Sequence, residues 1–145
     1  MTLVARLKDV AARSPWLYRI NSGSCNGCDV ETATTALVPR YDVERLGCVY
    51  CGSPRHADIV LITGPLTRHV LAAAQRVYAE IPDPKVTVAI GVCPISGGIF
   101  RESYAICAPI DRYFPVDVNV PGCPPRPPAI IEGVAKAIAI WRQRL

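Results

Sequence analysis

The sequence predicts an open parallel α/β sheet covered by helices on both faces and folded as a single domain. Strand-like and helix-like segments alternate along the chain. Two of the strand-like runs, Ala57–Thr63 and Val86–Val92, read as continuous apolar stretches, the pattern of strands buried on both faces. The 145 residues, 50% hydrophobic and 19% charged, are enough for one domain with a real core, and they exclude a disordered chain.

Taken in order, Leu3, Val4, Leu7, Val10 and Ala11 fall at helical spacing with Arg6, Lys8, Asp9 and Arg13 between them. Residues 1–15 therefore read as an N-terminal amphipathic helix ahead of an α/β unit at 16–145. Its apolar face needs this domain, a partner or, given the basic residues, a membrane surface to lie on. Trp16–Asn21 reads as a short strand, and Ser22–Asp29 as a turn-rich loop feeding a helix over Val30–Leu37. Gly47–Gly52 forms a short strand, Ala57–Thr63 a buried one, Leu66–Ile81 a helix ended by Pro82, and Val86–Val92 the next buried strand. A short irregular piece at Ser103–Cys107, a strand at Pro115–Val120, the proline-rich run Pro121–Pro128 and a final helix at Ala129–Arg144 complete the chain.

Composition removes several function classes. Sixteen Lys plus Arg against twelve Asp plus Glu give a formal charge of +4, spread along the chain, so nucleic acid is not an expected partner. The longest apolar candidate, Ala129–Trp141, is interrupted by Glu132 and Lys136 and is too short to span a bilayer. Charges inside the first ten residues do not fit a secretory signal, which places the protein on the cytoplasmic side. Gly97-Gly98 lacks both the dinucleotide fingerprint and the lysine of a P-loop, so no nucleotide site is expected. Two His and no local triad signature offer nothing to hydrolytic chemistry.

Seven cysteines stand out, because a reducing compartment disfavours structural disulfides and an odd number cannot pair completely. Metal or cluster binding is the first alternative. One arrangement is local: Cys25-x2-Cys28, nineteen residues, then Cys48-x2-Cys51, the spacing of a four-cysteine zinc site in an α/β interaction module. The other is spatial. Cys25, Cys28, Cys93 and Cys123 each follow a strand, in three loops at the carboxyl edge of the sheet, where α/β proteins place their sites. Four thiolates suit a [4Fe–4S] cluster, and the neighbouring Gly27, Gly91, Gly122, Pro94 and Pro124 allow tight turns and close backbone approach to sulfur. Cys107 reads as a small buried hydrophobe.

Asn21-Ser22-Gly23-Ser24-Cys25-Asn26-Gly27-Cys28-Asp29-Val30-Glu31, Gly52-Ser53-Pro54-Arg55-His56-Ala57-Asp58, Thr63-Gly64-Pro65-Leu66-Thr67 and Pro115–Pro127 resemble, in order, the small subunit of membrane-bound, energy-converting [NiFe] hydrogenases of group 4. That subunit is homologous to the B subunit of complex I (NADH-quinone oxidoreductase). The spaced pair Cys25-x2-Cys28 resembles the hydrogenases, since complex I subunits of this type carry two adjacent cysteines there. The resemblance implies a flavodoxin-like fold holding one proximal [4Fe–4S] cluster on Cys25, Cys28, Cys93 and Cys123. It also implies three kinds of partner: a NiFe-binding large subunit, a ferredoxin-like iron–sulfur subunit, and membrane subunits that translocate ions. The chain alone then carries no complete active site, and its place is peripheral, on the cytoplasmic side of the cell membrane. The runner-up is a complex I-like subunit in an assembly without nickel. The cysteine pair at Cys48 and Cys51, and Pro94 directly after the third ligand, depart from the family pattern.

Some further residues are candidates by position. Arg126, three residues after Cys123, is placed to stabilise the reduced form of a cluster. Glu31 suits the dipole of the helix it opens, and the resemblance adds proton transfer near the large subunit. Arg55 and His56 read as structural or interfacial, and His69 as a surface residue.

Overall fold

The computed structural model describes Val10 and residues 12–145; of the helix expected over residues 1–15, Val10 is helical, residues 12–15 form a turn and bend, and the rest lies outside the described residues. Five parallel strands, β1 (Trp16–Asn21), β2 (Val49–Tyr50), β3 (Ile59–Thr63), β4 (Val86–Ile90) and β5 (Val118–Val120), form one sheet in the order β2-β1-β3-β4-β5. This is the flavodoxin-like order, whose switch point lies between β1 and β3. Helices α1 (Gly27–Leu37), α2 (Arg68–Ala79), the short α3 (Val92–Ser96) and α4 (Pro127–Arg144) connect and cover it.

β3 and β4 are buried at every position, and the pleat divides their side chains between two cores. Ile59, Leu61, Val86, Val88 and Ile90 pack with Ile130, Val134, Ala137 and Trp141 of α4. Val60, Ile62 and Ala89 face the other way, onto Leu66, Ala74, Ile81 and Phe114. Burial on both faces is why these runs show no alternation. Thr67 caps α2 by accepting a hydrogen bond from the Val70 amide at 3.3 Å, which starts the helix two residues later than Leu66. The last strand is shorter than expected because Asp117 turns its carboxylate to other work: it accepts from the Thr87 amide at 2.9 Å and pairs with Arg144 at the end of α4.

Cys48 is fully buried beside β2 and donates to the Val43 carbonyl at 3.3 Å. Burial, opposed by a backbone hydrogen bond to its sulfur and reinforced by Glu44 and Asp42, pushes its thiol up to about 11. The unfolded chain, with an ordinary thiol, loses this proton first as pH rises, so the stability that neutral Cys48 provides is complete below about pH 9 and lost towards pH 11. Urea unfolding of the reduced chain at pH 8 and pH 10.5 is expected to show a loss of about 2 kcal/mol from this group, absent from Cys48→Ala.

Candidate metal centre

The loop after β1 is a hydrogen-bonded hook. The Asn21 side-chain oxygen accepts from the amides of Gly23 and Ser24, both at 2.9 Å, and the Ser24 hydroxyl accepts from the Asn26 amide at 2.9 Å. Asn26 then takes a left-handed conformation (φ 70°) and swings the chain into α1, whose first turn begins at Gly27 rather than Val30. Cys25 is left exposed on the loop, and Cys28 is buried in the first helical turn.

Two more segments close on the same point. β4 ends at Ile90, and Gly91 at φ 96° redirects the chain into α3, so Cys93 sits on a helical turn instead of at a strand end. The Gly91 amide donates to the Val120 carbonyl and the Val92 amide to the Gly122 carbonyl, at 2.8 and 2.9 Å, which ties this turn to the loop carrying Cys123. A Cβ on Gly91 would lie 2.6 Å from the Cys28 sulfur, and one on Gly98 3.6 Å from the Cys93 sulfur. All four cysteines line one cavity of about 160 Å³, walled otherwise by Phe100 and by small residues and prolines such as Gly27, Gly64, Gly122, Pro65 and Pro124.

The thiols feel one another. Burial, followed by Cys93, Cys123 and Cys25, pushes Cys28 up to about 11, with Asp29 adding to the rise. Cys93 is raised by burial and then by Cys123 and Cys25. Cys28 and Cys93 therefore resist becoming anions beside the other sulfurs unless a cationic centre compensates them, which is the condition a metal centre meets. Among the described residues no three His, Cys, Asp or Glu side chains close up tightly enough for one metal ion. Zinc at about 2.3 Å from each sulfur needs its ligands almost in contact, whereas a [4Fe–4S] cluster takes one thiolate at each of its irons.

Cys48 and Cys51 do not join them. Cys51 donates to the Ser53 carbonyl at 3.4 Å, Cys48 to Val43, and neither lines the cysteine cavity, so the local four-cysteine zinc spacing is not assembled. Cys107 is buried on the α2 side, as expected of a core thiol. Arg126 stands exposed at the residue that precedes α4, and Glu31 is half-buried on α1; neither lines the cavity. Arg55 forms an exposed ion pair with Glu80 at 3.3 Å, His56 packs on Trp16 with ring centroids 5.7 Å apart, and His69 is exposed on α2.

The residue sequence reasoning missed is Asp29. Its carboxylate is only 7% exposed and accepts from Arg19 Nη1, from Thr63 Oγ1 at 2.7 Å and from Asn21 Nδ2 at 3.0 Å. Burial raises its pKa, but hydrogen bonds from Ser24 and Thr63 and the charge of Arg19 outweigh that and hold it below the ordinary value. The available signal was an acid directly after the second cysteine, paired with a lone arginine inside an otherwise uncharged strand.

The sequence profile of the NADH ubiquinone oxidoreductase 20 kDa subunit matches residues 25–137, a span that contains all four clustered cysteines. The chain belongs to this family. It is 56% identical over 135 residues to a probable membrane-bound hydrogenase subunit, mbhJ, of Pyrococcus furiosus, covering 93% of this chain and 80% of the relative. It is 44% identical over 127 residues to the B subunit of NADH-quinone oxidoreductase from Heliobacterium modesticaldum, covering 86% and 71%. Among solved structures, a chain of the membrane-bound sulfane sulfur reductase, an archaeal respiratory membrane complex, superposes with a TM-score of 0.80 at 36% identity over 95% of this chain and 76% of the other. By name these relatives belong to a membrane-bound hydrogenase, an NADH-quinone oxidoreductase and a membrane-bound sulfane sulfur reductase. No helix among the described residues of this chain is long and apolar enough to cross a membrane.

Proposed function

We propose that this chain is the electron-relay subunit of a membrane-bound [NiFe] hydrogenase complex and holds one [4Fe–4S] cluster on Cys25, Cys28, Cys93 and Cys123. The observation that carries this reading is the convergence of four thiols, from the three segments that follow β1, β4 and β5 at the carboxyl edge of the sheet, on one cavity. The 56% identity to a membrane-bound hydrogenase subunit supports the choice of complex. Bound there, a cluster supplies reversible one-electron storage at a potential set by burial, charge and hydrogen bonds to sulfur.

The chain's own residues define the rest of the role. Buried Cys28 and half-buried Cys93 grip from the inside, while exposed Cys25 and Cys123 stand at the rim. Phe100 at the cavity edge, with exposed Ile99 and Tyr104 nearby in the chain and exposed Val30 two residues after Cys28, offers an apolar surface to the NiFe-binding large subunit. Nickel chemistry belongs to that large subunit, so hydrogen evolution or oxidation coupled to ion translocation is a property of the assembly. A ferredoxin-like subunit exchanges electrons with this chain, membrane subunits move the ions, and the chain lies peripherally on the cytoplasmic side of the membrane. Glu31, one helical turn from Cys28, is the residue offered for proton transfer towards the large subunit.

A second reading, a complex I-like subunit whose assembly lacks nickel, draws support from the 44% identity to an NADH-quinone oxidoreductase B subunit. Anaerobic purification with iron, acid-labile sulfide and zinc analysis tests the cluster. About four iron and four sulfide per chain, with an EPR signal after dithionite, are expected. Cys93→Ser and Cys123→Ser are expected to lose that signal and most of the iron. Stoichiometric zinc without visible absorption, retained in both variants, overturns the cluster. Nickel in the co-purified complex separates the two assemblies.

A further inference from the structure

Beyond its ligands, the cavity has a second tier built on one carboxylate. Asp29 follows Cys28 in the first turn of α1, with its side chain turned towards the open cleft lined by Arg19, Ala33, Ala36 and Tyr50. Three of its partners, Arg19, Asn21 and Thr63, come from β1 and the end of β3, and a fourth, Ser24, from the loop itself. Asn21 is the link to the loop, because its amide nitrogen donates to Asp29 while its oxygen accepts from Gly23 and Ser24, just before Cys25.

We infer that Asp29 is a positioning residue for the cluster ligands, fixing Cys28 through its own helical turn and Cys25 through the orientation of the Asn21 amide. Every partner of the carboxylate is a donor, so the group must be acceptor-only at both oxygens. An amide at this position satisfies Arg19 and Thr63 with its oxygen and turns its NH2 onto the NH2 of Asn21. Asn21 can answer only by rotating its amide, and that faces its NH2 towards the amides of Gly23 and Ser24 and unhooks the loop. The carboxylate thus sets the hydrogen-bond direction of a chain of contacts running from β3 to the exposed cysteine. Gly64 reinforces the same fit: at φ 81°, a Cβ there would lie 2.4 Å from the Ser24 backbone, so loop and strand end are packed without slack.

This inference rests on the proposed ligand set, and its test separates the two. The full chain, purified anaerobically, is challenged with a ferrous chelator, and its EPR spectrum and thermal unfolding are recorded alongside. Asp29→Asn is expected to release iron about tenfold faster and to change the EPR line shape. The exchanged pair, Asn21→Asp with Asp29→Asn, is expected to restore the wild-type rate and spectrum. In it the amide now at position 29 donates to the carboxylate now at position 21, which still accepts from both loop amides at unchanged net charge. Thr63→Val, nearly isosteric, removes one donor only and is expected to act in the same direction with a smaller effect, which covers the case of a poorly folding Asp29→Asn. Wild-type release and spectrum in Asp29→Asn, or an exchanged pair as fast as the single variant, overturn the positioning role. A wild-type chain that carries no iron and sulfide overturns the proposed cluster instead.

Discussion

Gly91→Ala is expected to leave the cysteine cavity without iron. Gly91 sits at φ 96° and ψ 164°, a region that side chains scarcely enter, so the substitution alone costs about 1–3 kcal/mol. The added Cβ also falls 2.6 Å from the Cys28 sulfur. Neither side can yield cheaply: the Gly91 and Val92 amides are tied to Val120 and Gly122, and Cys28 is locked into the first turn of α1. The sulfur must therefore leave its place, and the proposed four-thiolate centre would lose one corner. Iron and acid-labile sulfide are expected to fall at least about tenfold, while circular dichroism still shows cooperative unfolding. Gly52→Ala, where an added Cβ meets nothing within 4 Å, is the matched control and is expected to keep both iron and stability. Full iron with an unchanged EPR spectrum in Gly91→Ala argues that Cys28 is not a ligand.

The same residue shows why some of this molecule could be read from sequence and some could not. The buried strands β3 and β4 announced themselves, because burial on both faces leaves apolar runs without a period. The grouping of Cys25, Cys28, Cys93 and Cys123 was also legible, since parallel sheets bring successive strand-to-helix loops to one edge. The turns that aim the thiols were not. Asn26-Gly27 reads as loop, yet Asn26 pivots at φ 70° and puts Cys28 inside the helix. Gly91 sits inside the apolar run Val86–Val92 and carries no outward sign that the strand stops before it. Asp29 was invisible for a different reason. Three of its partners are 8, 10 and 34 residues away, on two strands that become neighbours only in the folded sheet. Spacing can report which side chains share an edge, but it does not report which backbone dihedral turns them inward.

Gly133→Ala tests whether the same close packing reaches the fourth cysteine. In an exposed helix the change would gain about 1 kcal/mol. Here α4 lies against β5, and the new Cβ would come 2.3 Å from Cγ2 of Val120. Val120 is buried, β-branched and therefore stiff, and its carbonyl holds the Gly91 amide, so it cannot move aside independently. Overpacking of this kind costs about 1–3 kcal/mol and outweighs the helical gain, so a lower unfolding free energy is expected. Because β5 leads directly through Pro121 and Gly122 to Cys123, iron retention is expected to fall together with stability. Adding Val120→Ala opens the space the new methyl needs. The double variant is therefore expected to be more stable than the two single losses predict, by about 1 kcal/mol in a double-mutant cycle, and to recover iron relative to Gly133→Ala. Additive losses would mean that α4 relieves the contact by sliding as a body. Iron retention would then follow the position of the helix, and the Val120 side chain would have no separate part in it.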